Sequence, residues 1–160
     1  MKTNKSEHPG LDQIRRFDKS LPMALLRGHE AVLRTFIPHL RQHGLSTQQW
    51  RVMRALAELE SLDVSDLSAR CSLHRPSVSR IIQNLEARHI LSRRSCANDS
   101  RRSLVSITEL GLSLIDQIAP ESEALYDHIE ARYGGEQLAL LYRLLEDLVR
   151  SLEEPLQPQN

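Results

Sequence analysis

Arg75, Pro76, Ser77, Ser79, Arg80 and Asn84 fall within one short stretch, LHRPSVSRIIQNLEARHI, and bring guanidinium, hydroxyl and carboxamide groups close together. A second cluster follows in ILSRRSCANDSRRSLVSI, where Arg93, Arg94, Arg101 and Arg102 surround Asp99. Arginine fits the O6/N7 edge of guanine in two bonds and also carries the charge that phosphate attracts. The chemistry this pattern suits is recognition of a nucleic acid; a merely solvated basic face is the plainer alternative.

Two elements must position these groups. Val78, Ile81, Ile82 and Leu85 recur at helical spacing, and Pro76 suits a first helical turn, so a helix is expected from near His74 to near His89. The pattern then changes period: Ile90–Ser95 and Ser103–Ile107 read as short strands around a polar turn at Ala97–Arg102. Upstream, Ser46 and Gln49 have the form of a capping box, starting a helix at about Thr47 that runs to about Glu60, with Trp50, Met53, Leu56 and Ala57 inward. A short helix from Asp63 or Val64 to about Cys71, joined to the basic helix by Ser72–Leu73, makes a helix-turn-helix. Helix-turn-helix plus basic hairpin is a winged helix, and the fold class expected is mainly α with a small β-hairpin wing.

Long amphipathic helices flank this unit. One begins after Ser20, carries Leu25, Leu26, His29, Val32, Leu33, Phe36 and Leu40 on one stripe, and ends at Gly44; Pro38 should bend or break it. Another, capped by Thr108, meets Pro120, which should kink or interrupt it before Gly134–Gly135 stops it. The last, about 136–152, has more leucine than one exposed helix needs. The expected organisation is an arm over 1–18, a helical dimerisation region over 19–46 and 109–153, a winged helix-turn-helix over 47–108 and a disordered tail over 154–160.

The formal charge is zero, yet it is unevenly spread. Residues 1–63 carry ten basic and seven acidic side chains, 64–107 eight and three, and 108–160 three and eleven. A basic middle between neutral and acidic flanks puts the phosphate-seeking surface on the winged helix. The chain has 160 residues, 40% of them apolar and only 4% aromatic, which suits aliphatic helix packing. No apolar run long enough for a membrane span and no apolar leader appear, so a cytoplasmic protein is expected. Cys71 and Cys96 are expected to be reduced thiols with structural roles. No Gly-rich phosphate loop, metal-ligand cluster or nucleophile elbow appears, so neither catalysis nor a cofactor is expected.

The order of a long first helix, GLSTQQWRVMRAL, DLSARCSLHRPSVSRIIQNLE and NDSRRSLVSITELG resembles the MarR family of winged helix-turn-helix transcription regulators, over roughly Leu21 to Leu152. SLPMALLRGHEAVLRTFIPHLRQHGLSTQQWRVMRAL and the RPS opening of the basic helix are most similar to the repressors of homoprotocatechuate (4-hydroxyphenylacetate) degradation operons. The resemblance implies a homodimeric repressor that binds double-stranded DNA at a palindromic operator. It implies that Asp99 orients the wing tip and Arg101 enters the minor groove, while Arg93, Arg94 and Arg102 are expected to meet phosphate or a helix carboxylate.

It also implies a ligand pocket between the helical platform and the winged helix, for an aromatic carboxylate or phenol. Candidates are His29 and Phe36 on the first helix and Trp50 and Arg54 on the second, each pair on a common side. His29 stands where the resemblance leads one to expect arginine, and Arg27 precedes it by two residues, off the apolar stripe. The competing readings are plain core packing for Phe36 and Trp50, a metal or redox sensor built on His39 and His43 or on a cysteine, and a winged helix that binds protein instead of DNA.

Overall fold

The computed structural model describes the backbone of residues 14–96 and 99–153, and the side chains of all of these but 96–102. After a 3-10 turn at Phe17–Lys19 come α1 (Leu21–Gln42), α2 (Thr47–Ala57), β1 (Leu62–Asp63), α3 (Val64–Arg70) and α4 (Arg75–Ala87). The wing strands β2 (Leu91–Cys96) and β3 (Asp99–Ile107) follow, then α5 (Glu109–Tyr133) and α6 (Gly135–Glu153). Most of the expected arm, the tail over 154–160 and the Ala97–Asn98 turn lie outside the described residues.

Local chemistry explains most of the boundaries. Ser46 accepts from the Gln49 N–H at 3.1 Å while Gln49 Oε1 accepts from the Ser46 N–H at 2.8 Å, so the capping box starts α2 from both sides. Asp63 caps α3 by accepting from the N–H groups of Ser65 and Asp66, both at 2.9 Å. Ser72 and His89 take positive φ at the ends of α3 and α4, and Gly44 and Gly134 do so after α1 and α5.

Four local expectations need correction. Helix α2 stops at Ala57, three residues early, and Ala57 is exposed while Val52 and Ala55 are buried with Met53 and Leu56. The wing is tighter than expected, because Asp99–Arg102 belong to β3 and the register shifts only between Ser95 and Cys96. The sheet has a third strand: β1 pairs antiparallel with β3, Leu62 with Val105 and Asp63 with Leu104, in the order β1-β3-β2. Of the outcomes expected at the prolines, a bend or kink and a break, the break does not occur, since Pro38 lies inside α1 and Pro120 inside α5.

Tertiary packing carries both helices through their prolines. Phe36, His39 and Leu40 of α1 and Ile118 and Ser122 of α5 are buried on either side of them. His39 Nε2 donates to the Ile118 carbonyl at 3.1 Å. Its Nδ1 lies 3.0 Å from a Glu121 carboxylate oxygen, within ion-pair distance but off the line of a hydrogen bond.

The core gathers Leu56, Leu67, Val78, Ile82, Leu85 and Val105 inside the winged helix and reaches Leu40 and Ile118 in the platform. Helix α5 meets the end of the wing closely at Gly111. A Cβ there would stand 2.5 Å from the Ile90 carbonyl oxygen and 2.6 Å from Ile107 Cγ1. Gly111→Ala is therefore expected to cost about 1–3 kcal/mol, as overpacking against backbone does. A lowered urea midpoint with an unchanged slope is the expected reading, and an unchanged midpoint would show that α5 can slide away from the wing.

The platform is unlike the core. Leu140, Leu141, Leu144, Leu145, Val149 and Leu152 of α6 are exposed, as are Leu21, Leu25, Leu26 and Val32 of α1, and α6 has no buried residue. Among the described residues no helix is long and apolar enough to cross a membrane.

Candidate nucleic-acid interface and adjoining cavity

Helix α4 packs through Val78, Ile81, Ile82 and Leu85, all buried, so its other directions are fixed outward. Ser77 and Arg80 are exposed with no partner among the described residues, and Ser79 is half-buried. Pro76 sits exposed in the first turn, whose free N–H groups and positive dipole end favour phosphate. Arg75 is exposed and donates to the Ser65 hydroxyl of α3. Asn84 is exposed, but its Oδ1 accepts from Gln49 Nε2 at 2.7 Å, which pins the carboxamide to α2 and leaves its NH2 outward.

On the wing, alternate residues of β2 face opposite ways. Arg93 is opposite the buried Val105 and pairs with Glu86 of α4 at 3.1 Å, taking the helix-carboxylate option. Arg94, on the other face, is exposed with no partner among the described residues. Asp99, Arg101 and Arg102 lie on the backbone of β3, with their side chains outside the described residues. Arg80 on the outward side of α4 and Arg94 on the outer face of the wing are thus the basic groups of this surface that remain free among the described residues.

A cavity of about 470 Å3 opens between α1, α2, the end of α3 and α5. Phe36, Trp50 and Arg54 line it, joined by Tyr126 of α5, whose ring centroid is 4.8 Å from that of Phe36. Arg27 and His29 do not line it; both are exposed on the leading half of α1. Sequence reasoning missed Tyr126, because nothing in the chain pattern says which turn of α5 crosses α1. It also missed Arg51, Arg70 and Glu58, which complete the wall toward α3.

The charges in that wall differ in their commitments. Arg70 pairs with Glu58. Arg51 Nη1 donates to the Cys71 carbonyl at 3.0 Å. Arg54 has no ion pair or hydrogen bond among the described residues, so its guanidinium is the one open to an incoming anion. Cys71 also lines the cavity, and burial pushes its thiol above the ordinary value while the charges of Arg51 and Arg70 pull it back. The net rise keeps the thiol protonated at neutral pH, the unreactive form. Among the described residues no group of three His, Cys, Asp or Glu could hold a metal ion, and His39 and His43 meet edge to face at 5.2 Å.

A helix-turn-helix with a basic wing, set under an aromatic cavity with one open cation, defines a winged-helix regulator in architecture. The profile of the MarR family matches residues 43–102. The homoprotocatechuate degradative operon repressor of Escherichia coli is 36% identical over 130 residues, covering 81% of this chain and 88% of that protein. The HTH-type transcriptional regulator FarR of Neisseria gonorrhoeae is 36% identical over 131 residues, 82% of this chain and 90% of its own. Among solved structures, NadR in complex with 4-hydroxyphenylacetate superposes with a TM-score of 0.76 at 33% identity, covering 84% of this chain and 98% of that one. The chain belongs to the MarR family and is a transcriptional regulator, not an enzyme.

Proposed function

We propose that this protein is a cytoplasmic, homodimeric repressor of an operon for aromatic-compound breakdown, released from DNA by a small aromatic carboxylate. The observation that carries this reading is Arg54, an uncommitted cation set among Trp50, Phe36 and Tyr126 in a cavity whose far wall is the end of α3. A ring between aromatic walls with its carboxylate on the guanidinium meets the usual needs of a small-molecule site. The relatives point the same way: one represses homoprotocatechuate degradation, and another holds 4-hydroxyphenylacetate in its crystal structure.

DNA reading is assigned to α4 in the major groove, with Ser77, Ser79 and Arg80 toward base edges and Arg75 toward phosphate. The wing carries Arg94 and Arg101 to the neighbouring backbone and minor groove, where narrow A·T-rich segments attract arginine. The exposed apolar residues of α1 and α6 supply the dimer contact. A two-fold dimer sets its reading helices about 34–36 Å apart and so reads a palindrome. Release requires that the effector prefer the arrangement that does not fit DNA, since only differential affinity shifts a population.

The test is mobility shift on DNA flanking the protein's own gene, at two salt concentrations, with and without 4-hydroxyphenylacetate and related acids. Sequence-specific binding that weakens steeply with salt and is released by a hydroxyphenyl carboxylate is the expected result. Specific binding that no aromatic acid releases would overturn the effector half of the reading. Absence of specific binding at low salt would overturn the DNA half.

A further inference from the structure

Arg51 holds two positions at once. It lines the cavity one helical turn from Arg54 on α2, and its Nη1 donates to the carbonyl of Cys71, the residue that closes α3, at 3.0 Å. Cys71 Sγ reaches back to the Arg51 carbonyl at 3.9 Å, so the two residues clasp each other. Cys71 also opens the turn of the helix-turn-helix: Ser72 follows at φ 49°, and the Leu73 N–H returns to the Ser68 carbonyl at 3.0 Å. Carbonyls at a helix C-terminus lack partners within the helix and lie at its negative end, so a guanidinium is an effective external anchor there.

We propose that Arg51 is the positioning residue through which occupancy of the cavity is transmitted to the helix-turn-helix. The proposal rests on the reading of this cavity as an effector site. A carboxylate admitted beside Arg54 competes with the Cys71 carbonyl for the Arg51 guanidinium, and a full negative charge is the stronger acceptor. Once Arg51 turns toward the ligand, the Cys71–Leu73 turn loses its guanidinium anchor and keeps only the weak Cys71 Sγ contact to the Arg51 carbonyl, which loosens the angle between α3 and α4. The Arg70–Glu58 pair remains on the same wall, so the expected movement of α3 is a tilt about that tie and not a detachment.

The test uses the full chain carrying Arg51→Met, which keeps an apolar stem but cannot anchor the carbonyl. Operator affinity is measured by fluorescence anisotropy without and with saturating 4-hydroxyphenylacetate, and calorimetry reports whether that acid binds. In the unaltered protein the two affinities should differ by the roughly 5–150-fold usual for allosteric coupling. In R51M their ratio should fall to about one while the acid still binds, whatever the affinity for free DNA becomes. A merely structural Arg51 would lower stability and leave the ratio intact, which overturns the proposal. Acid binding in R51M should weaken without vanishing, because Arg51 gives up its share of the carboxylate while Arg54 keeps its own; an unchanged acid affinity would mean that Arg51 never turns to the ligand and would overturn the proposal. An unaltered protein whose operator affinity does not respond to the acid would instead overturn the effector reading itself. If R51M fails to fold, NMR of the unaltered protein decides: the Arg51 guanidinium and Ser72 amide signals should shift together on saturation, and stationary signals would overturn the proposal.

Discussion

Arg54→Ala is expected to weaken binding of 4-hydroxyphenylacetate by about 10–150-fold and to leave a protein that still shifts operator DNA. Hydrogen bonds to charged groups contribute about 1.5–3 kcal/mol, and each 1.4 kcal/mol is a factor of ten. Arg54 is exposed in the free protein, so the lower part of that range applies unless the ligand itself closes the site. Arg70 cannot replace it cheaply, since it would have to leave Glu58, and Arg51 reaches the same carboxylate only by giving up its bond to the Cys71 carbonyl. Calorimetric titration of both proteins with the acid is the check. Equal affinity would remove Arg54 from the ligand and leave the aromatic walls to hold it unaided.

For DNA, the largest single effect is expected from Arg80→Ala. Arg80 is exposed on the outward side of α4 and carries no bond within the described residues, so nothing holds it back from a base edge. A bidentate contact to guanine is worth about 1–3 kcal/mol of discrimination, or roughly 5–150-fold in affinity for the correct site. Affinity for a scrambled duplex should fall much less, because phosphate contacts carry no sequence information. Anisotropy titrations on both duplexes at two salt concentrations separate the cases. An equal fall on both, with a shallower salt slope, would mean that Arg80 touches only phosphate. Arg75 offers a contrast: its guanidinium is already bonded to Ser65, so recruiting it to DNA means exchanging one partner for another.

Local rules carried the reading of the winged helix a long way. The capping box at Ser46 and Gln49, Pro76 in a first turn and the apolar spacing of Val78 to Leu85 are written within a few residues of where they act. What stayed illegible depends on contacts between distant segments. Strand β1 has two residues and no period of its own; it exists because β3 offers backbone partners to Leu62 and Asp63. Pro38 reads as a bend or a break and Pro120 as a kink or an interruption because local sterics say so, and with Phe36, Leu40 and Ile118 buried around them each helix continues through its proline. In the cavity, Trp50 and Arg54 were legible as neighbours on one helix face. Tyr126 and the Arg51 clasp were not, because helix crossings that chain order does not encode bring them to the same wall.

The short strand β1 has a mechanical consequence. Asp63 pairs its backbone with β3 while its carboxylate starts α3, and on the other side Arg93 of β2 is tied to Glu86 of α4. The wing is therefore tied at one edge to α3 and at the other to α4, so a change in the angle between these helices reaches the hairpin as well. Under the proposed function, a DNA site would be gripped or dropped at its major-groove and minor-groove contacts together, so control would need to act on only one angle in each subunit of the proposed dimer.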